Sequence, residues 1–211
     1  MMIVSKENPE SIIQTFPRIL ALTASGEAVD WITYEEAAAH YAKGKVLYSL
    51  GTHEINVRGG FNSKTGQQSI LRIDTIIALA NDTSPSKYRK KDPQLTNKAL
   101  FERDLNMCAY CGSLTRGKDL TRDHVHPTSK GGRDVWENVV TACYSCNQYK
   151  GAQTLEQAEM KLLYVPYTPT FNESLILKNR NILADQMEFL KHGVSKHSRV
   201  VKEYEEQLTL Q

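Results

Sequence analysis

All four cysteines of the chain fall between Cys108 and Lys150, as two Cys-x-x-Cys pairs with 31 residues between them. Each pair, Cys108/Cys111 and Cys143/Cys146, can bring two thiolates onto one ion. Four thiolates complete a tetrahedral zinc sphere with no position left for water. The spacing therefore predicts a structural Zn2+ site that supplies folding free energy of order ~10 kcal/mol. Four unrelated buried cysteines are the bland alternative, and the doubled spacing argues against it.

Between the pairs stands Asp123-His124, with Asn138 just before the second pair and Asn147 directly after Cys146. A carboxylate suits a hard divalent ion and an imidazole suits proton transfer. If Leu120–His126 is a strand, Asp123 and His124 face opposite sides and must do different jobs. Asn147, at the start of a helix after the second pair, can add a second oxygen ligand from across a hairpin. Lys130, Arg133 and Lys150 are candidates to contact phosphate, though single basic residues are often only solvated. His126 could also touch phosphate, but a packed or solvent-facing histidine is the commoner case. Trp136 reads as apolar filling under the loop.

These residues need a scaffold, and 211 residues, 40% apolar and 24% charged, can build one or two domains with a real core. The apolar runs around Ile19–Ala24 and Thr75–Ala80 are too short to span a bilayer. The opening MMIVSKENPE lacks a signal-peptide pattern, so a cytoplasmic location is expected, where paired cysteines bind metal rather than form disulfides. Net charge is only +2, but 12 Lys/Arg against 7 Asp/Glu lie between Lys87 and Lys150. That concentration fits a phosphate-facing surface as well as a solvated basic face.

The pattern predicts an α+β chain in three parts. Residues 1–86 form a small α+β unit, beginning with a loose polar stretch over 1–14. Strands are expected at Arg18–Thr23 and Val29–Ile32. A helix over Tyr34–Lys43 is capped by Thr33 and Glu36 and stopped by Gly44. Further strands follow at Lys45–Leu50 and Ser69–Asp74, separated by a loop containing Arg58-Gly59-Gly60. Residues 87–169 hold the cysteine-rich motif, entered through a basic run (Lys87, Arg89, Lys90, Lys91) and a helix over Asn97–Asp104. Strands over Leu120–His126 and Asn138–Ala142 precede a short helix ending at Lys150, and another helix is expected over Thr154–Leu163. Residues 170–211 read as a helical extension, Leu175–His192 and Ser195–Leu208, with Val201, Tyr204 and Leu208 as an apolar stripe.

The motif resembles the HNH endonucleases, the zinc-bound ββα-metal fold. The likeness is carried by Cys108, Cys111-Gly112, Leu120-Thr121, Asp123-His124-Val125, Pro127, Ser129, Gly131-Gly132, Trp136 through Cys143, Cys146-Asn147 and Lys150-Gly151. It covers about a fifth of the chain. The resemblance implies that Asp123 ligates a catalytic ion and that His124 is the general base on the attacking water. It also implies that Asn138 braces the loop and orients His124. Asn147 stands where a last His usually sits, which makes an H-N-N variant. An Asp-plus-Asn oxygen pair favours Mg2+ or Mn2+ over softer ions. The implied reaction is hydrolysis of DNA to 5′-phosphate and 3′-hydroxyl ends. DNA is the expected partner, no membrane is involved, and the C-terminal helices could pair two copies. A non-catalytic zinc module that binds nucleic acid is the competing reading, but such a module has no need of Asp123, His124 and Asn147.

Overall fold

The computed structural model describes residues 17–80, 93–115, 117–179 and 181–201. The stretch 1–14, the basic run at Lys87–Lys91 and the Tyr204 and Leu208 positions of the expected apolar stripe lie outside them. The described residues are mixed α+β, and their largest element is a four-stranded sheet in the order β2-β1-β4-β3. Its strands are β1 (Ile19–Leu22), β2 (Ala28–Ile32), β3 (Val46–Phe61) and β4 (Gln68–Leu79). β1 runs antiparallel to β2 and parallel to β4, while β3 and β4 form an antiparallel hairpin.

Every residue of β1 is buried because both faces of the strand are covered. Ile19 and Ala21 pack with Ala37 of helix α1 (Tyr34–Ala42), whose Thr33–Glu36 capping box is formed as its spacing requires. Leu20 and Leu22 pack instead with Leu175, Ile176, Met187 and Leu190. These belong to α4 (Phe171–Lys178) and α5 (Ala184–Lys191), so the C-terminal helices roof the N-terminal sheet. Polar clasps fix the roof: Trp31 Nε1 donates to the Leu175 carbonyl at 2.8 Å, and Gln186 Nε2 donates to the Arg18 and Thr75 carbonyls. The apolar faces of α4 and α5 are thus used within the chain, and the idea of pairing two copies through them gains no support.

Four sequence expectations need correction. Arg58-Gly59-Gly60 is strand rather than loop, because the hairpin continues in register to Phe61↔Gln68 with a bulge between Arg58 and Phe61. There Ser69 Oγ donates to the Gly60 carbonyl and lies where a Cβ on Gly59 would stand. The stretch 154–163 is a run of turns, not a helix. Glu159 takes a left-handed φ of 54°, and Leu163 N–H is drawn to the Ala109 carbonyl. The single helix expected over Leu175–His192 is two helices. Asn179 turns extended and its side chain accepts from Asn181 N–H, an Asx turn that competes with helical bonding. In addition, residues 195–199 are turns and bends rather than the start of a helix.

The motif forms a second, two-stranded sheet of β5 (Leu120–His124) and β6 (Val139–Cys143), followed by helix α3 (Tyr144–Lys150). The register runs from Leu120↔Cys143 to His124↔Val139. It rests on α2 (Asn97–Arg103), which Thr96 caps. The anchor is Arg103, only 1% exposed, whose five donors are all satisfied. Two N–H groups reach Asp104, and the other three reach the carbonyls of Trp136, Val139 and Tyr167. Asp104 in turn accepts from Thr141 N–H at 2.7 Å. A buried guanidinium paired in this way ties α2, β6 and the Tyr167 segment together. Nothing in the local sequence marked it.

Candidate active site and metal centre

The cysteine pairs converge. The Sγ atoms of Cys108, Cys111, Cys143 and Cys146 all lie within 4.8 Å of one another, the one such cluster of His, Cys, Asp or Glu among the described residues. Cys111 and Cys143 are 3.9 Å apart, close to the ~3.8 Å edge of a tetrahedron with ~2.3 Å zinc–sulfur bonds. The four cysteines are therefore arranged to hold a metal ion, and an all-thiolate set suggests structural zinc. A hydrogen bond with Ser113 Oγ, at 3.1 Å, helps hold the Cys111 thiol down at about 6, whereas burial pushes Cys108 and Cys146 up. A dication would supply the charge that lets Cys108 and Cys146 ionise.

β5 divides the Asp-His pair between two sides, as strand alternation demands. On one side Asp123, 6% exposed, accepts from the Tyr110 hydroxyl and from the Lys150 ammonium at 3.0 Å. Burial, and then the bond to Asp123, raises the Tyr110 phenol, so the phenol remains the proton donor. Lys150 is itself 1% exposed and also donates to the His124 carbonyl at 2.8 Å. It therefore cannot grip a phosphate at the surface, which corrects the sequence expectation. Its stem packs inward and its charge is consumed by Asp123.

Asn147 occupies the same flank through Thr121, the residue two before Asp123. Its Nδ2 donates to Thr121 Oγ1 at 2.8 Å, and that hydroxyl donates onward to the Ala142 carbonyl at 3.0 Å. Since the Thr121 proton is spent on a carbonyl, the oxygen can only accept, and the amide is locked with its NH2 end toward β5. The Oδ1 end is left as an oxygen donor.

On the other side His124 Nε2 lies 2.8 Å from Asp134 Oδ1. Arg122, two residues before His124 on the same face, reaches Asp134 Oδ2 at 2.7 Å. Partial desolvation of Asp134 is outweighed by these bonds from Arg122 and His124, which hold its carboxyl below the ordinary value. Asp134 went unnoticed in the sequence because it is one acid in a polar loop with no spacing rule to mark it.

Asn138 closes the loop between the strands. Its Oδ1 accepts from His126 N–H at 2.9 Å, while its Nδ2 donates to the His126 and Arg133 carbonyls. Gly132 makes the closure feasible, since a Cβ there would stand 1.8 Å from the His126 carbonyl oxygen. His126 Nε2 is spent on the Lys130 carbonyl within the loop. Lys130 and Arg133 are exposed, with Lys130 bonded to Gln157. Trp136 is buried under the loop beside Leu100 and Val139.

Residues 108–163, which hold this hairpin, helix and four-cysteine cluster, match the HNH endonuclease family, and the cluster is consistent with such a domain. A 51-residue stretch is 39% identical to the CRISPR-associated endonuclease Cas9 of Corynebacterium diphtheriae. That match takes in 24% of this chain and only 5% of the length of the relative. Both likenesses support a nuclease. No helix among the described residues is long and apolar enough to cross a membrane.

Proposed function

We propose that the chain is a metal-dependent DNA endonuclease, with residues 87–169 as its nuclease unit and the four cysteines binding a zinc that only braces the fold. The observation that carries this reading is the division of labour across β5. Asp123, bonded to Lys150, and Asn147, bonded to Thr121, share one flank of the strand, and a carboxylate-bonded His124 stands on the other.

The oxygen donors fit a hard divalent ion such as Mg2+ or Mn2+. Tyr110 and Lys150 take two of the roughly four lone-pair directions of the Asp123 carboxylate and leave the others open. Asn147 Oδ1 is presented by the Thr121 lock. A divalent cation held there would neutralise charge building on the scissile phosphate and on the departing 3′ oxygen.

The remaining steps belong to the chain itself. With Nε2–H of His124 donating to Asp134, Nδ1 is free to take the proton of the attacking water. The Asp134 carboxylate then faces the imidazolium and stabilises it, as an orienting acid does in a catalytic triad. Asn138 holds the loop that carries Asp134 against the end of β5. Water attack in line with the 3′ oxygen gives 5′-phosphate and 3′-hydroxyl ends.

The test is plasmid nicking by purified protein with Mg2+ or Mn2+, with the divalent ion omitted, and by the His124→Ala variant. Cutting only by the wild type with metal, and ligatable 5′-phosphate ends, support the proposal. A mobility shift without cutting under every metal condition would leave a nucleic-acid-binding zinc module.

A further inference from the structure

The β3–β4 hairpin is longer than the sheet needs. β1 covers β4 only at Ile76–Ala78, so among the described residues the stretch from Gln68 to Asp74 and its partners on β3 have no third strand beside them. Seven residues of β4 extend about 20 Å at the usual strand rise. Ile55, Val57, Leu71 and Ile73 turn one face of the ribbon toward the core, while Asn56, Arg58, Ile70 and Arg72 share the opposite, exposed face. They are direct cross-strand partners, Asn56↔Arg72 and Arg58↔Ile70.

Between Ile55 and Ile73 the only charged residues are Arg58, Lys64 and Arg72, and none of the chain's 24 acids falls there. The rest of the tip is hydrogen-bonding side chains (Asn62, Ser63, Thr65, Gln67, Gln68) with an exposed Phe61. A protein strand adding to the edge of β3 would need an unbroken row of N–H and C=O groups. The β3–β4 register shifts between Leu50 and Glu54 and again between Arg58 and Phe61, which leaves only Glu54–Arg58 in unbroken register on the distal part of β3. What the ribbon offers a partner is chiefly the side chains of its exposed face. Basic and amide side chains on a two-stranded ribbon match duplex DNA, whose major groove admits such a ribbon and whose phosphates attract the charge.

We propose that the distal half of the β3–β4 hairpin is a duplex-DNA-binding arm, using Arg58, Lys64 and Arg72, that holds substrate for the nuclease centre. It rests on the nuclease reading, but its test does not. Full-length protein carrying His124→Ala is titrated with a fluorescent duplex oligonucleotide across a salt series. This is compared with the same protein bearing Arg58→Ala, Lys64→Ala and Arg72→Ala. A control triple, Lys43→Ala, Lys178→Ala and Lys196→Ala, removes equal charge elsewhere, and an Arg58→Gln, Lys64→Gln, Arg72→Gln set keeps side-chain length.

Both hairpin sets are expected to lose roughly tenfold or more in duplex affinity. Their salt slope should fall by up to ~0.9 per lost phosphate contact, with the control triple unchanged. In the otherwise wild-type protein, with His124 intact, the same substitutions should raise KM for plasmid and spare kcat. If the hairpin sets bind duplex like their parent while plasmid is still cut, the arm is wrong and the nuclease stands. If duplex binding falls as predicted but no metal supports cutting, the arm stands and the nuclease reading fails. A loss confined to single-stranded DNA, or no duplex binding by the parent, overturns the arm.

Discussion

Lys150 Nζ lies 3.0 Å from Asp123 Oδ1, and both side chains are almost wholly withdrawn from water. The ammonium neutralises a carboxylate that the site needs as an oxygen ligand, and it is anchored a second time on the His124 carbonyl. Removing one partner of such a pair strands the other charge. Lys150→Met should therefore destabilise the protein by about 3–5 kcal/mol, whereas changing both partners, Lys150→Met with Asp123→Leu, should recover much of that loss. Urea unfolding of the two variants checks it, and equal destabilisation by both would refute the pairing argument.

His124→Ala should lower cleavage by about 10²–10⁴-fold with the circular dichroism spectrum and zinc content unchanged. Asp134→Asn should give a smaller loss, because Nδ1 remains but the stabilising carboxylate is gone. Single-turnover rates of the two variants on one plasmid rank them. An Asp134 variant as inactive as the His124 variant would mean that it does more than orient the ring.

Thr121 sets the Asn147 amide without touching any ligand. Thr121→Ala frees the amide to turn, and the divalent ion should bind about 10–100-fold more weakly, as when other partners that orient metal ligands are removed. Thr121→Ser keeps the hydroxyl and should restore affinity. Mn2+ titration followed by electron paramagnetic resonance reads this directly, without any turnover.

Zinc should be present at one ion per chain and should be needed for folding of the β5–β6–α3 unit. Cys108→Ser removes the most deeply buried thiolate, and it is expected to abolish zinc retention and metal-dependent nicking together. Elemental analysis of the purified variant beside wild type is the measurement, and full zinc occupancy in the variant would contradict the four-thiolate site.

Glu173 gives the fold a pH dependence of its own. It is fully buried, with one oxygen accepting from Tyr167 and Ser198 and the other unpartnered. Burial outweighs those bonds and raises its carboxyl above the ordinary 4.5. The folded state thus holds the proton more tightly than the unfolded chain does. The stability this contributes is present below about pH 4.5 and is lost as pH rises through the raised value. Glu173→Gln should flatten that part of the profile, as measured by melting temperatures between mildly acidic and neutral pH. An unchanged slope would show that Glu173 titrates normally.

The cysteine spacing, the Asp123-His124 pair and the Asn138 and Asn147 positions were all legible in the chain alone. So were the Thr33–Glu36 capping box and the β5–β6–α3 order. The capping box depends on contacts within four residues, and the cysteine set on a ligand geometry that spacing by itself constrains. The remaining positions stand in a contiguous motif whose order along the chain is its signal. Tertiary structure alone decided that Lys150 is buried rather than solvent-facing and that Arg103 sits at the hub of three carbonyls. It also decided that β3 runs on through two glycines and that the C-terminal helices break at Asn179 to cover the first sheet. These features are set by partners far away in sequence, such as Gln186 with Arg18 or Lys150 with Asp123. Burial turns a charge or an amide into a structural group only when such a partner arrives, and local pattern carries no record of it.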